Sequence, residues 1–142
     1  MRWGREAAGA LPVACSTKRV FLTLRSADVV EPHTWGLPGG KMEPGETPAE
    51  AALREMREEI SYEGELLLIP SFVYREDEFA FHNFLALVPD EFDVELNWES
   101  DDAGWFELSD LPKPLHFGVK KLMKAVRPQI SDAIRECRKF VR

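Results

Sequence analysis

Three glutamates stand close together in the sequence, at spacings that would place them on one face of a helix. They are Glu55, Glu58 and Glu59. Positions i, i+3 and i+4 are neighbours on a helical surface, so the three carboxylates would converge within about one turn. Like charges so placed destabilise an isolated helix by roughly 0.2–0.5 kcal/mol per pair. Because Mg²⁺ prefers oxygen ligands and often shares them with substrate phosphates, the spacing indicates a divalent-metal site.

These glutamates lie within a predicted helix, Pro48 to Ile60, whose first residues carry a capping signal. Thr47 precedes the helix and Glu50 occupies its third position, which together form a capping box. Pro48 occupies the first position, where the missing N–H of proline costs nothing. We expect one helical face to pack against a sheet and the glutamates to lie at the border of that face, in a cleft. The apolar residues of the face are Ala49, Ala52, Leu53, Met56 and Ile60.

A glycine-rich turn, Leu37 to Lys41, precedes this helix. Gly39 and Gly40 can adopt φ values closed to other residues, and they let the backbone approach a ligand closely. Their carbonyl oxygens are reasonable additional ligands for Mg²⁺. Three glutamates alone would favour the alternative of a solvated acidic helix. The ordered series of turn, cap, arginine and glutamates favours the metal site.

This ordered series resembles the Nudix box, GX5EX7REUXEEXGU, in which U is an aliphatic residue. Gly40, Glu46 and the segment Arg54 to Glu59 match the box at the required spacing. The flanks are also similar to the family, namely Trp35 to Lys41 before the box, and Trp105, Leu108 and Asp110 to Pro112 after it.

Two positions of the box differ from the family pattern. Ser61 replaces a glycine and Tyr62 replaces an aliphatic residue. The glycine normally closes the helix in a left-handed conformation, which costs a serine roughly 1 kcal/mol. Gly64, three residues later, is a candidate for a displaced cap. The difference concerns the loop after the helix more than the metal site.

The resemblance implies roles for individual residues. It implies that Glu55, Glu58, Glu59 and the Gly40 carbonyl bind Mg²⁺ or Mn²⁺. It implies that Glu46 and Arg54 orient the glutamates through charge-assisted hydrogen bonds. The implied reaction is hydrolysis of a nucleoside diphosphate linked to another group, which agrees with the need of phosphoryl transfer for charge neutralisation and a positioned water.

The resemblance leaves the general base open. Family members use either a glutamate of the box, here Glu55 or Glu58, or an acid from a downstream loop. Glu99 lies six residues before Trp105, where relatives often place a further metal-binding acid. Asp101 and Asp102 are rival positions for the same role.

Aromatic side chains are candidates for stacking on a nucleobase, although core packing is the commoner role of any one aromatic residue. His116 and Phe117, in a loop beside Pro114, are favoured because relatives often line the base pocket from this region. Trp35 is a further substrate-binding candidate. Trp3, Phe79 and Phe81 are weaker ones.

Around the central helix, the pattern of apolar runs and turns predicts strands and two further helices. The whole indicates a single α/β domain, residues 1–142, and the resemblance implies an α/β/α sandwich with a mixed sheet. The predicted strands are Ala7–Cys15, Val20–Leu24, Glu65–Tyr74, Glu78–Val88 and Trp105–Leu108. The predicted helices are Val119–Val126, ended or bent by Pro128, and Ile130–Val141.

Composition narrows the classes of partner. The 142 residues carry a net charge of −7, which argues against broad binding to nucleic acids or anionic membranes. We find no signal peptide and no run of about 20 apolar residues, so a cytoplasmic protein is expected. Cys15 and Cys137 are therefore predicted to be free thiols rather than a disulfide. Dimers are common among the similar proteins, so a homodimer is an open expectation.

Four functions remain in view. The leading one is a Mg²⁺-dependent pyrophosphohydrolase of nucleoside triphosphates, including modified ones, and an ADP-ribose or nucleotide-sugar pyrophosphatase is second. A nucleotide-sensing module without turnover is disfavoured, because such proteins usually lose box carboxylates. Decapping of RNA is disfavoured by the acidity of the chain, although the basic residues Arg135, Arg138, Lys139 and Arg142 could form a local groove.

Overall fold

Strand β1 (Glu6–Ala14) runs through the middle of a mixed sheet and is almost entirely buried. The computed structural model describes residues 6–140, so Trp3 and Arg142 lie outside the described residues. The other strands are β2 (Val20–Arg25), β3 (Trp35–Gly36), β4 (Gly39–Lys41), β5 (Leu67–Glu76), β6 (Phe79–Val88) and β7 (Ser100–Phe106). The helices are α1 (Pro48–Ile60), α2 (Phe117–Ala133) and a terminal 3₁₀ helix (Ile134–Phe140).

The sheet has the strand order β3-β2-β1-β6-β5, with β4 paired to β1 and β7 paired to β2. Strands β1 and β6 are parallel, from Glu6 opposite Ala80 to Ala14 opposite Val88, and the other pairs are antiparallel. β1 is apolar on both faces because both are covered, as is usual for buried parallel strands. Its Ala8 and Ala10 pack with α1, whereas Leu11 and Val13 pack with α2. The expected α/β/α sandwich with a mixed sheet is thereby confirmed.

Helix α2 differs from the prediction of two helices separated at Pro128. It continues from Phe117 through Pro128 to Ala133, and the following residues form a 3₁₀ helix. Buried residues recur at helical spacing on both sides of the proline, at Leu122, Val126 and Ile130. This continuous apolar stripe holds the helix on the sheet, which outweighs the loss of one backbone hydrogen bond at the proline.

The prediction that Cys15 and Cys137 are free thiols was wrong. The two residues form a disulfide with Cα atoms 5.8 Å apart, across a sequence separation of 122 residues. Cys15 follows β1, and Cys137 lies in the terminal 3₁₀ helix, which packs back onto the same hydrophobic cluster. Only the tertiary fold brings these positions together, so sequence spacing did not reveal the pair.

The last predicted strand is longer than expected and begins earlier. It runs from Ser100 to Phe106 and pairs with β2, whereas the predicted strand was Trp105–Leu108. Within residues 6–140, no helix has the length and apolar character needed to span a membrane.

Candidate active site

Helix α1 begins and ends at the predicted residues. The side chain of Thr47 accepts a hydrogen bond from the N–H of Glu50, and the N–H of Thr47 donates to the Glu50 carboxylate at 2.8 Å. This reciprocal pair satisfies two of the N–H groups that a helix start leaves open. Met56 and Ile60 are buried against the sheet, which fixes the rotation of the helix about its axis.

Strand β4 lies against the glutamate side of α1. A Cβ atom added to Gly40 would lie 2.6 Å from Oε1 of Glu55, so a side chain at this position would collide with the carboxylate. The N–H of Gly39 donates to Oε1 of Glu59 at 3.1 Å. The two glycines therefore let β4 approach α1 closely, and they bring backbone atoms next to two of the three glutamates.

Glu55 and Glu59 are buried acids. Their residues are only 9% and 6% exposed. Burial raises the pKa of Glu55 to about 7, against the opposing charge of Arg54 and with further increments from Glu58 and Glu99. Burial also raises the pKa of Glu59 well above its ordinary value, and the charges of Glu55 and Glu99 add to this effect. In the absence of a cation, burial thus favours the protonated, neutral form of both acids.

Arg54 connects the helix to the preceding loop. Its guanidinium makes two hydrogen bonds to Glu46, and it also donates to the carbonyl of Lys41 at 2.9 Å. Through Nη1 it bonds to Glu58 at 3.1 Å and to Glu55 at 3.4 Å. The bond from Arg54 is the main reason that the pKa of Glu46 falls to about 2. Glu46, Arg54 and the glutamates Glu55 and Glu58 are thus joined by hydrogen bonds.

Glu99 lies beside the same cluster. Its backbone carbonyl accepts a hydrogen bond from Ser26 N–H at 2.9 Å. The amide of Asn97 donates both to the Glu99 carboxylate and to the backbone carbonyl of Glu58, each at 3.2 Å, which docks this turn on the end of α1. The rivals Asp101 and Asp102 are exposed residues of β7. The structure thus brings Glu99 to the glutamates of α1.

The metal-binding capacity of this cluster follows from its donor set. Among residues 6–140, no three His, Cys, Asp or Glu side chains are already arranged as a closed metal-binding group. Glu58 is instead half-exposed and paired with Arg54. The buried carboxylates of Glu55 and Glu59 nevertheless fit Mg²⁺ or Mn²⁺, since both are hard oxygen donors whose mutual repulsion a dication would relieve. Gly40 lies against Glu55, which places its backbone beside the same donors.

An aromatic pocket opens between the sheet and the start of α2. We define it by Tyr74, Phe79, Phe81, Asn83, His116 and Phe117, with Arg25 on its wall. The empty space inside it, counted together with the solvent at its open mouth, is about 470 Å³. The charge of Arg25 acts on both Glu59 and Glu99, so the pocket adjoins the glutamate cluster.

Two of the three favoured substrate-binding residues line the aromatic pocket, and the third does not. His116 and Phe117 line the aromatic pocket, with their rings stacked at 4.8 Å between centroids. Trp35 instead makes an edge-on contact with Phe106 at 5.2 Å and packs against the core. Sequence reasoning missed Asn83 and Tyr74. The signal for Asn83 was the period of two that places it on the same strand face as Phe79 and Phe81.

The two residues that differ from the box pattern, Ser61 and Tyr62, lie at the end of α1. Ser61 itself adopts the left-handed conformation, with φ of 57°, and its N–H donates to Arg57 O. Gly64 is therefore not the cap of this helix. Tyr62 packs on Phe92, with ring centroids 4.3 Å apart, so an aromatic side chain fills the position expected to be aliphatic.

Two of the C-terminal basic residues form ion pairs. Arg135 contacts Asp132 at 3.7 Å, and Lys139 contacts Glu136 at 2.6 Å. Acidic partners thus offset part of the charge that a groove for RNA would need.

Known proteins are similar to this chain in sequence. The family model described as NUDIX domain matches residues 4–126. The chain is 30% identical over 136 residues to a nucleoside triphosphate pyrophosphatase/Nudix hydrolase fusion protein of Bifidobacterium longum, which covers 88% of the chain and 27% of that protein. It is 34% identical over 109 residues to an 8-oxo-dGDP phosphatase of Mus musculus, which covers 68% of the chain and 34% of that protein. The chain thus spans about a third or less of the length of these two curated relatives.

Solved structures show the same fold. A Nudix hydrolase from M. smegmatis superposes with a TM-score of 0.77 at 23% identity, covering 92% of this chain and 88% of that one. A MutT NUDIX hydrolase from Burkholderia pseudomallei superposes with a TM-score of 0.68 at 26% identity, covering 86% and 97%.

Proposed function

The chain belongs to the Nudix family, and we propose that it is a metal-dependent pyrophosphohydrolase of nucleoside triphosphates, including modified ones. The observation that carries the proposal is the cluster of buried Glu55 and Glu59 against Gly39 and Gly40. An aromatic pocket adjoins this cluster. A phosphate chain and a nucleobase could therefore be bound side by side.

The residues of the chain divide the work of hydrolysis. Glu55, Glu58 and Glu59 would hold Mg²⁺ or Mn²⁺, with the Gly40 carbonyl alongside, and the metal would neutralise the charge of the phosphates. Arg54 fixes the orientation of Glu58 through its hydrogen bond, and Glu46 fixes Arg54 in turn.

Two carboxylates can accept the proton of the attacking water. Glu58 is half-exposed at the open side of the cluster. Glu99 is held beside Glu55 and Glu59 by Asn97. We propose that one of these two is the general base.

The aromatic pocket supports a nucleotide as the substrate. Phe79, Phe81 and Phe117 offer ring faces on which a base can stack. Burial, with the nearby charge of Arg25, lowers the pKa of His116 to about 4, so the ring is neutral at physiological pH. The stacked rings of His116 and Phe117 are uncharged, so they suit a neutral nucleobase better than a charged phosphate group.

The choice of triphosphates rests on the relatives. The two named above are a nucleoside triphosphate pyrophosphatase fusion and an 8-oxo-dGDP phosphatase. We therefore place modified purine nucleotides first and ADP-ribose or nucleotide sugars second.

The test is a panel of canonical and 8-oxo nucleoside triphosphates, dinucleotides, ADP-ribose and nucleotide sugars, each with Mg²⁺, with products identified by mass. A nucleoside monophosphate and pyrophosphate should form from the triphosphates. Glu58→Gln should lower turnover by orders of magnitude with folding retained, whereas Glu63→Gln, an exposed glutamate just beyond the helix, should be unaffected. Turnover of ADP-ribose alone would replace the proposed substrate, and binding without turnover across the panel would indicate a sensing module.

A further inference from the structure

Asn83 is a buried amide at the floor of the aromatic pocket. Phe79, Phe81 and Asn83 alternate along β6 and share the face that meets α2. The next residue on this face, Leu85, belongs to the hydrophobic core. The residue Asn83 is only 6% exposed. A polar side chain this deep costs stability unless hydrogen bonds compensate.

The protein satisfies this amide only in part. Nδ2 of Asn83 donates to the carbonyl of Phe81 at 3.5 Å, which is a long hydrogen bond. Among residues 6–140, no donor is paired with Oδ1 of Asn83. Every fully buried polar side-chain atom of the described residues has a hydrogen-bond partner. Because Oδ1 has none, it is not fully buried. Oδ1 therefore faces the pocket as a hydrogen-bond acceptor.

Two neighbouring side chains of the pocket carry N–H donors. Arg25 lines the pocket with a guanidinium, a group that has only donors and whose Nε and Nη2 bond to the carbonyl of Val30. His116 accepts the N–H of Gly118 at Nδ1, so its neutral ring carries the proton at Nε2, 3.6 Å from a carboxylate oxygen of Glu31. A ligand that matches these three groups needs one N–H for Asn83 and at least one acceptor oxygen for the donors.

We propose that Asn83 is a specificity-determining residue that recognises the ring N–H of a lactam, the –NH–C(=O)– group of oxopurines such as hypoxanthine, guanine and 8-oxoguanine. Oδ1 accepts from the ring N–H, and the carbonyl of the base accepts from the donors of the pocket. This inference rests on the proposed function, because it assigns the aromatic pocket to the base of the substrate.

The experiment changes the protein and the ligand together. Deoxyinosine triphosphate carries the lactam, and 2′-deoxypurine riboside triphosphate has the same ring system without the N–H or the oxygen. The wild type should prefer the first by about 10- to 100-fold in kcat/KM, because a site built around a hydrogen bond leaves a buried group unpaired with the analogue. Asn83→Leu should bring this ratio close to one by lowering kcat/KM for deoxyinosine triphosphate.

The control is Phe79→Leu, which shortens the pocket wall and should lower kcat/KM for both nucleotides by the same factor. In Asn83→Leu, the leucine is close to asparagine in size and suits the apolar surroundings, so this variant should fold. Asn83→Ala provides a second variant for the same comparison. A ratio in Asn83→Leu and Asn83→Ala equal to that of the wild type would overturn the assignment.

A binding measurement separates this inference from the proposed function. Calorimetry with deoxyinosine monophosphate and 2′-deoxypurine riboside monophosphate requires no hydrolysis. Asn83→Leu should raise Kd for the first about tenfold or more and leave Kd for the second unchanged. If no triphosphate is hydrolysed, the proposed function fails while this comparison still decides the role of Asn83. An unchanged Kd for deoxyinosine monophosphate, or no binding of it by the wild type, would refute that role.

Discussion

The guanidinium of Arg54 makes two parallel hydrogen bonds with the carboxylate of Glu46, at 2.7 Å from Nε and 3.0 Å from Nη2. The residues are eight positions apart and join the loop before α1 to the face of the helix that carries the three glutamates. The remaining nitrogen, Nη1, bonds to Glu58. Arg54 thus transmits the position of the loop to a glutamate of the cluster, and its hydrogen bond is the main reason that the pKa of Glu46 is about 2.

This geometry predicts that Arg54→Lys impairs catalysis although it keeps the positive charge. A lysine ammonium cannot form the two-pronged contact with Glu46 and also reach Glu58. We expect kcat to fall about 10- to 100-fold, the usual effect of removing a residue that orients metal ligands. Arg57→Lys, on an exposed position of the same helix, is the matched control and should leave kcat unchanged. Equal kcat values for the two variants would contradict the orienting role.

We expect Glu59 to lower the stability of the metal-free protein and to be needed for metal binding. Its carboxylate is buried near the like charges of Glu55 and Glu99. Glu59→Gln keeps an acceptor for the N–H of Gly39 and removes the charge, so the metal-free Tm should rise. Added Mg²⁺ or Mn²⁺ should stabilise the wild type, by about 2.7 kcal/mol at 100 times Kd.

The same metal titration should have little effect on Glu59→Gln, since a ligand is lost. Glu63→Gln serves as the control and should respond to metal as the wild type does. A thermal shift in Glu59→Gln as large as that of the wild type would show that Glu59 is not a ligand.

Helix α1 was predictable because its signals are local. Thr47, Pro48 and Glu50 specify its start within four residues, and the apolar stripe specifies which face is buried. The pairing of the strands was harder to predict from the sequence, because it depends on contacts between distant segments. Gly40 was identified from the box, but the collision with Glu55 that requires a glycine there is visible only in three dimensions.

The errors have the same physical origin. Pro128 would break a helix in isolation, yet the stripe of Leu122, Val126 and Ile130 on the sheet preserves it. Cys15 and Cys137 become neighbours only after α2 has packed. Asn83 acquires its significance from the residues across the pocket. Tertiary contacts outweigh local preference in each case.

Ser61 marks a position where one substitution should increase stability. Its φ of 57° lies in the left-handed region that glycine adopts without cost. We expect Ser61→Gly to raise the free energy of unfolding by about 1 kcal/mol, measured by urea denaturation. Ser61→Ala keeps the unfavourable φ and loses only the 3.5 Å contact to Glu95 O, so it should not stabilise. A Ser61→Gly variant no more stable than Ser61→Ala would contradict the assignment of strain to the backbone.

His116 predicts a loss of stability in mild acid. Burial lowers its pKa to about 4, with a further contribution from Arg25, and Glu31 at 3.6 Å does not offset this. The unfolded ring titrates near 6.5, so between pH 6.5 and 4 the unfolded state binds more protons than the native state. The contribution of His116 is therefore complete above pH 6.5 and falls as the pH decreases, by up to ~3 kcal/mol.

The matched variant for this prediction is His116→Asn, which does not titrate and can still accept the N–H of Gly118 at the start of α2. The difference in unfolding free energy between wild type and variant should change across this pH window and be constant above it. A difference that is independent of pH would show that the native ring is protonated as easily as the unfolded one.

The disulfide between Cys15 and Cys137 should contribute to stability through the unfolded chain. It joins positions 122 residues apart, so reduction would release a large closed loop in the unfolded state. We expect reduction, or Cys137→Ser, to lower the free energy of unfolding by about 2–5 kcal/mol in denaturant titrations. Reductant should have no further effect on Cys137→Ser, which separates loss of the bond from other effects of the reagent. Two reactive thiols in the native protein before any reductant is added would contradict the bond itself.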